Sequence, residues 1–170
     1  MGKGVSLQSR ILAVALSTKG FGYTLLEGGK LIDWGVKSVA GDKNSRCLLK
    51  VNDIVKLYDP SVVVLESCAS KRPPRSQRIR NLTEQIVEQI KGHRVQVQLF
   101  LRDDVRRIFF GEKEKGSKHA LAAILAQEFP EELAHRLPSK RRPWMSEHYS
   151  MGIFDALGLA LAFARRRRSH

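Results

Sequence analysis

The order of the apolar segments constrains the fold of this chain more than any other feature. Residues 11–16 and 62–65 are unbroken apolar runs of strand length, each bounded by turn-forming residues. Such runs indicate strands that are covered on both faces. The first run turns into a second strand at 21–26, and a third strand with an edge-strand pattern follows a glycine turn, at 31–39. The chain is therefore predicted to open with a three-stranded antiparallel meander.

The segments after the meander alternate between helix and strand. Apolar residues recur at helical spacing over 45–57 and 78–91, and these helices precede the strands at 62–65 and 95–99. Strands joined through a helix are usually parallel. Further helices are predicted at 103–110, 118–128 and 146–165. This order describes an α/β domain with a mixed five-stranded sheet, antiparallel in its first three strands and parallel after them, with helices on both faces.

The charge balance indicates a polyanionic partner. Thirty Lys and Arg residues against 17 Asp and Glu residues give a formal net charge of +13. An excess of +9 remains without the arginines at 165–168, so it is not confined to the C-terminal run. A field of this sign attracts polyanions, of which nucleic acid is the commonest. The composition therefore favours a nucleic-acid partner.

Cysteine content and hydropathy limit the cellular compartments in which this chain is expected. Cys47 and Cys68 are the only cysteines, too few for a disulfide framework or a cysteine zinc site. Residues 1–6 contain no apolar signal core, and no stretch reaches the roughly 18 apolar residues that a membrane span needs. We therefore expect a soluble, cytoplasmic protein with one domain.

Four segments carry a family resemblance. The sequence reads ILAVALSTKGFGY at 11–23, VVVLES at 62–67 and DALGLALA at 155–162, and between them the segment 102–111 is followed by Lys118. In this order and spacing they resemble the opening hairpin, the glutamate-ended strand, the C-terminal helix and an intervening helix entry of the RuvC-like Holliday-junction resolvases. That family belongs to the ribonuclease H-like superfamily.

The resemblance implies a domain layout and a partner. It predicts a ribonuclease H-like domain at 10–165, an N-terminal extension at 1–9 and a basic C-terminal tail at 166–170. It also implies branched DNA as the substrate class, a part in DNA recombination and repair, and a homodimer, because the family's resolvases act on two strands symmetrically.

The resemblance further implies a two-metal nuclease site, which this sequence supplies only in part. The family has four acidic positions that hold Mg²⁺ or Mn²⁺ for phosphodiester cleavage. Glu66 and Asp155 stand at the second and fourth positions, but Ala15 stands at the first and Gly152 at the third. Glu66 and Asp155 are thus the predicted metal ligands and catalytic residues. The alternative for either acid is a salt-bridge partner in a basic protein.

His148 is a further candidate catalytic residue. It lies seven positions before Asp155, about two helical turns along the same face of the predicted last helix, with Gly152 between them. Glu147 and Ser17 are other residues that could rebuild the site. A capping or surface role is the alternative for His148.

Two basic segments are predicted to contact phosphates. One follows the Glu66 strand, the other lies between the last two predicted helices, and neither contains a base-reading motif. The predicted nucleic-acid-binding residues are Lys71, Arg72, Arg75, Arg78, Arg80, Lys140, Arg141 and Arg142. A solvated loop is the alternative. Near the second segment, Trp144 and Tyr149 either stack on a base or pack in the core, and packing is the prediction for Trp144.

Three functions stay open on the sequence. The favoured one is a nucleic-acid-binding RuvC-like protein for structured or branched DNA, with an incomplete two-metal nuclease site. The second is an active endodeoxyribonuclease with a rearranged set of ligands, and it alone requires Mg²⁺ or Mn²⁺ as cofactor. The third is a catalytically dead scaffold for a protein partner, for which weak, salt-insensitive DNA affinity is expected.

Overall fold

The computed structural model describes residues 9–69, 75–112, 116–142 and 144–168. The strands are β1 (Arg10–Leu16), β2 (Gly20–Glu27), β3 (Lys30–Ser38), β4 (Val62–Glu66) and β5 (Gln96–Phe100). The helices are α1 (Lys43–Tyr58), α2 (Gln77–Lys91), α3 (Arg102–Phe110), α4 (Lys118–Glu128), α5 (Pro130–Leu133) and α6 (Met151–Arg168), and a 3₁₀ turn at Ala134–Arg136 follows α5. Among these helices, none combines the length and hydropathy that a bilayer crossing requires.

The five strands form one sheet in the order β3-β2-β1-β4-β5. The first three strands are antiparallel neighbours, while β4 runs parallel to both β1 and β5. The register pairs Val14 of β1 with Tyr23 of β2 on one side and with Leu65 of β4 on the other. The mixed five-stranded sheet and the edge position of the third strand are therefore confirmed.

Each face of the sheet has its own core. On one face, α3, α4 and α6 cover the strands, with Phe100, Phe154 and Leu157 almost wholly buried. On the other face, α1 and α2 bury a second cluster that includes Phe21 and Leu82. Burying one such side chain stabilises the fold by about 1.5–3 kcal/mol. Helices on both faces, as predicted from the buried apolar runs, are confirmed.

Side-chain caps fix where three of the helices begin. Asp42, Ser76 and Ser117 precede α1, α2 and α4, and each side chain accepts a hydrogen bond from a backbone N–H in the first turn of its helix. These caps satisfy amides that the helix itself leaves without partners. The Ser117 cap also makes Lys118 the first residue of α4.

The last helix differs from its predicted bounds. It was expected at 146–165 but begins at Met151, because residues 144–150 form turns and irregular backbone, and it extends to Arg168. The predicted tail boundary at 166 thus falls inside α6. The guanidinium of Arg165 lies 4.3 Å from the ring centroid of Phe109, and the helix dipole favours cations at this end, so the arginines prolong the helix. Of the predicted extension at 1–9, residues 1–8 lie outside the described residues.

Candidate functional site

Glu66 and Asp155 come together at one end of the sheet. The parallel register pairs Val14 with Leu65, so that Ala15 and Glu66 follow side by side at the carboxyl ends of β1 and β4. Asp155 reaches the same place from the second turn of α6. Ala15, Glu66 and Asp155 line one small cavity of about 70 Å³. The two predicted acids therefore share a site although 89 positions separate them in the sequence.

Two arginines flank the carboxylate of Glu66. Arg75 Nη1 lies 3.6 Å from Glu66 Oε2, and Arg102 Nε lies 3.4 Å from Glu66 Oε1. Each carboxylate oxygen thus faces a guanidinium. Arg75 also donates a hydrogen bond of 2.6 Å to the carbonyl oxygen of Leu16, at the end of β1. These contacts give both carboxylate oxygens of Glu66 a cationic partner at the edge of the cavity.

Lys118 forms an ion pair with Asp155. Its ammonium lies 3.0 Å from Asp155 Oδ2 and also donates a hydrogen bond to Glu147. Burial raises the pKa of Asp155 from 3.8 to about 6, although the charge of Lys118 acts against that rise. Burial also lowers the pKa of Lys118, but the carboxylates of Asp155 and Glu147 outweigh it and raise the pKa overall.

The raised pKa of Asp155 predicts a pH-dependent term in stability. The folded state binds this proton more tightly than the unfolded chain, so the stabilisation is complete below about pH 4 and is lost as the pH rises through 6. Relative to Asp155→Asn, the wild type should lose about 1–2 kcal/mol between about pH 4 and pH 7, a range set below the full linkage value because 31% of the side chain remains exposed.

Urea denaturation of both proteins at several pH values measures this difference. Asp103→Asn serves as the control, because Asp103 is an exposed acid in the first turn of α3. Parallel stability curves for the wild type and Asp155→Asn would show that Asp155 does not titrate differently in the folded protein.

A larger groove of about 620 Å³ adjoins the small cavity. The two share Ser117 and Lys118 in their linings. Lys140 and Arg141 line the groove, and they belong to the segment that we name the basic loop, residues 139–142 and 144–149. The structure thus places the second predicted basic segment beside the acidic centre, with Lys118 between them.

No protein-family model matches this sequence, and no curated protein matches it. Solved structures do. Thermus thermophilus RuvC in complex with a Holliday junction substrate matches with a TM-score of 0.68 and 14% identity, over 95% of this chain and 96% of that chain. The yeast mitochondrial Holliday junction resolvase Ydc2 matches with a TM-score of 0.64 and 16% identity, over 98% of this chain and 82% of that chain. The fowlpox virus Holliday junction resolvase matches with a TM-score of 0.58 and 14% identity, over 93% of this chain and 99% of that chain.

This chain has the RuvC-like resolvase fold. The fold predicted from the sequence motifs is therefore confirmed.

The acidic end of this RuvC-like sheet does not fit a pair of metal ions. Among the described residues, no group of three or more His, Cys, Asp and Glu side chains is arranged to hold a metal ion. Ala15 brings only a methyl group, and hard cations require oxygen ligands. At position 152 a side chain would begin 3.2 Å from Gly22 Cα, tighter than ordinary contact. The two remaining carboxylates already have cationic partners.

His148 lies outside α6, which corrects its predicted place on the helix face. Its Nδ1 accepts a hydrogen bond of 3.2 Å from the backbone N–H of Ser150, and its carbonyl accepts one from the N–H of Met151. His148 therefore forms the turn that starts α6 and lines the larger groove, not the cavity of Glu66 and Asp155. The two-turn spacing from Asp155 does not apply.

The first basic segment supports the hairpin of β1 and β2. Beside the Arg75 bond to Leu16, Arg78 donates hydrogen bonds to the carbonyl of Ser17 and to Asn44 Oδ1. Arg80 on α2 has a buried Nε without a hydrogen-bond partner among the described residues. Phosphate contact by these three arginines stays a prediction, as it does for Lys71 and Arg72, which lie outside the described residues.

The structure corrects the prediction that Trp144 packs in the core. Trp144 is 76% exposed and Tyr149 is 62% exposed, because the turns at 144–150 hold them in the basic loop before α6 begins. Sequence analysis also missed Arg102 and Lys118 as members of the site. The sequence does place Lys118 directly after a serine cap in the segment that resembles the RuvC-like family, but it gives no signal for the contact with Asp155.

Proposed function

We propose that the protein binds structured or branched DNA through its RuvC-like surface and does not cleave it. One observation carries the proposal: the two remaining acids are paired with Arg75, Arg102 and Lys118. A centre of this kind is neutralised by its own side chains. The carboxylates of this centre do not require a metal ion to balance their charge. The neighbouring arginines and lysine favour a phosphate backbone over a metal ion.

The charge and the similar structures support DNA as the partner. The formal net charge of +13 attracts a polyanion, and the basic loop concentrates cations beside the groove. Two of the similar structures, T. thermophilus RuvC and the fowlpox virus resolvase, are described as complexes with Holliday junction DNA. Because no base-reading motif is present, recognition is proposed to follow the shape and backbone of the DNA.

The decisive experiment compares binding and cleavage of a labelled four-way junction with a matched duplex. Each is measured with Mg²⁺, with Mn²⁺ and with a chelator. We expect preferential junction binding that does not require a divalent metal ion, with no cleavage products in any of the three conditions. Metal-dependent cutting would establish the nuclease with a rearranged set of ligands instead. Absence of junction affinity would refute the DNA-binding function.

Salt dependence separates DNA binding from the protein-scaffold alternative. For about four phosphate contacts, junction affinity should fall about a hundredfold between about 50 and 200 mM monovalent salt, because each contact releases condensed counterions. Fluorescence anisotropy over this salt series gives the slope. A weak affinity that salt leaves unchanged would favour the scaffold.

The homodimer implied by the RuvC-like resemblance is part of this proposal. A two-fold arrangement would present two copies of the basic loop to the two halves of a symmetric junction. Light scattering on the free protein and on its junction complex measures the stoichiometry.

A further inference from the structure

We infer that the basic loop holds an unpaired nucleobase of bound DNA by stacking it on Trp144 and Tyr149. The inference rests on the proposed function and adds to it the part of the DNA that this loop contacts. The occupant is a base with a free face, joined to a phosphate backbone.

The exposure of the loop's apolar side chains is the first observation. Trp144, Met145 and Tyr149 expose 76%, 50% and 62% of their surface within six positions of one another. By contrast, Trp34 is half-buried against the core of the α6 face. Exposed aromatic side chains within one short loop are typical of a surface that binds a partner.

Charge complementarity narrows the occupant to nucleic acid. Lys140, Arg141 and Arg142 precede Trp144 closely, and the guanidinium carbon of Arg142 lies 5.6 Å from the centroid of the Trp144 ring. The single acid of the loop, Glu147, is bound to Lys118. An aromatic face bordered by cations matches a base and its adjoining phosphates, as in single-strand binding sites.

The loop is held in place beside the groove, whose lining includes Arg141 and Met145 but not Trp144 or Tyr149. Arg141 donates a hydrogen bond of 3.1 Å to the carbonyl of Met145, across the bend of the loop. The rings of His148 and Tyr149 lie 4.5 Å apart, which restrains Tyr149. The groove that the loop lines continues to Lys118. A strand that runs along this groove passes beside Trp144 and Tyr149, and a base that is unpaired when the branched DNA is bound stacks there.

The chain allows a direct optical test, because it contains only two tryptophans. The Trp34→Phe variant leaves Trp144 as the sole tryptophan reporter. We expect its fluorescence to be quenched by a thymidine oligonucleotide and by a four-way junction, and to be unchanged by an oligonucleotide of abasic residues. The abasic strand keeps every phosphate and removes every base, so it isolates stacking from charge.

Affinity gives the second readout. Trp144→Ala should weaken binding of the thymidine oligonucleotide about tenfold, as expected for one lost base stack, and leave binding of the abasic strand unchanged. Trp144→Tyr should restore most of the loss, and Trp34→Phe should bind as the wild type does. Equal losses for both strands would overturn the inference, because they would indicate a charge or folding effect.

Two outcomes separate this inference from the proposed function. If the junction binds by anisotropy but leaves Trp144 fluorescence unchanged, stacking is refuted while DNA binding stands. If the junction does not bind, the proposed function itself fails. Quenching by poly-glutamate without quenching by either DNA would assign the loop to an acidic protein partner and overturn the inference.

Discussion

Replacement of Gly22 by alanine is expected to lower the free energy of unfolding by about 3 kcal/mol. A Cβ atom on Gly22 would lie 2.2 Å from both the carbonyl carbon and the carbonyl oxygen of Gly152. These are backbone atoms, so no side-chain rotation can relieve the contact. The first turn of α6 would have to move away from β2, and Asp155 lies on the next turn. Urea denaturation of the two proteins measures the loss.

Gly92→Ala is the matched control for this variant. Gly92 ends α2 in a right-handed helical conformation, and its added Cβ would meet only Gln89 O, at 3.5 Å. The control should change stability by no more than about 1 kcal/mol, and in the stabilising direction, because alanine restricts the unfolded chain. Equal stabilities for the two variants would show that α6 is not seated directly on Gly22.

The fold was predictable because burial acts on local sequence. The apolar runs of β1 and β4 are covered on both faces, so they are unbroken and visible without the structure. The predicted bounds of α4 agree with the structure because its serine cap stands just before an apolar-rich helical segment. The predicted start of α6 was wrong because the residues before Met151 form turns and irregular backbone, in which Tyr149 lies exposed although its ring resembles a core residue in the sequence.

The sequence predicts only those features of the site that follow from the path of the backbone. Glu66 ends a strand and Asp155 occupies a helix that crosses the same sheet, so the fold alone brings them together. The cationic partners of Glu66 and Asp155 depend on how far long side chains reach from neighbouring helices and loops. Arg102 reaches Glu66 from the helix that follows β5, and Lys118 reaches Asp155 from α4. No spacing in the sequence encodes such contacts, which is why the charge state of the centre required the structure.

Simultaneous replacement of Lys140, Arg141 and Arg142 by alanine is expected to weaken four-way junction binding about a hundredfold at low salt. All three side chains are exposed in the basic loop, so their removal should leave the sheet and its helices unchanged, although it also removes the Arg141 hydrogen bond to Met145 within the loop. Each lost phosphate contact also removes counterion release. The slope of log affinity against log salt concentration should therefore become shallower by about 3. Anisotropy titrations over a salt series measure both quantities.

The control must remove the same charge from another face of the molecule. Lys50 and Lys56 on α1, together with Arg94 after α2, are exposed on elements of the opposite sheet face. Their joint replacement by alanine lowers the net charge equally, so it reports the effect of the overall field. If both triple variants lose affinity to the same extent with the same slope, DNA is attracted by net charge alone and the basic loop is not its binding surface. A loss confined to the loop variant places the phosphate contacts beside Lys118 and the paired carboxylates.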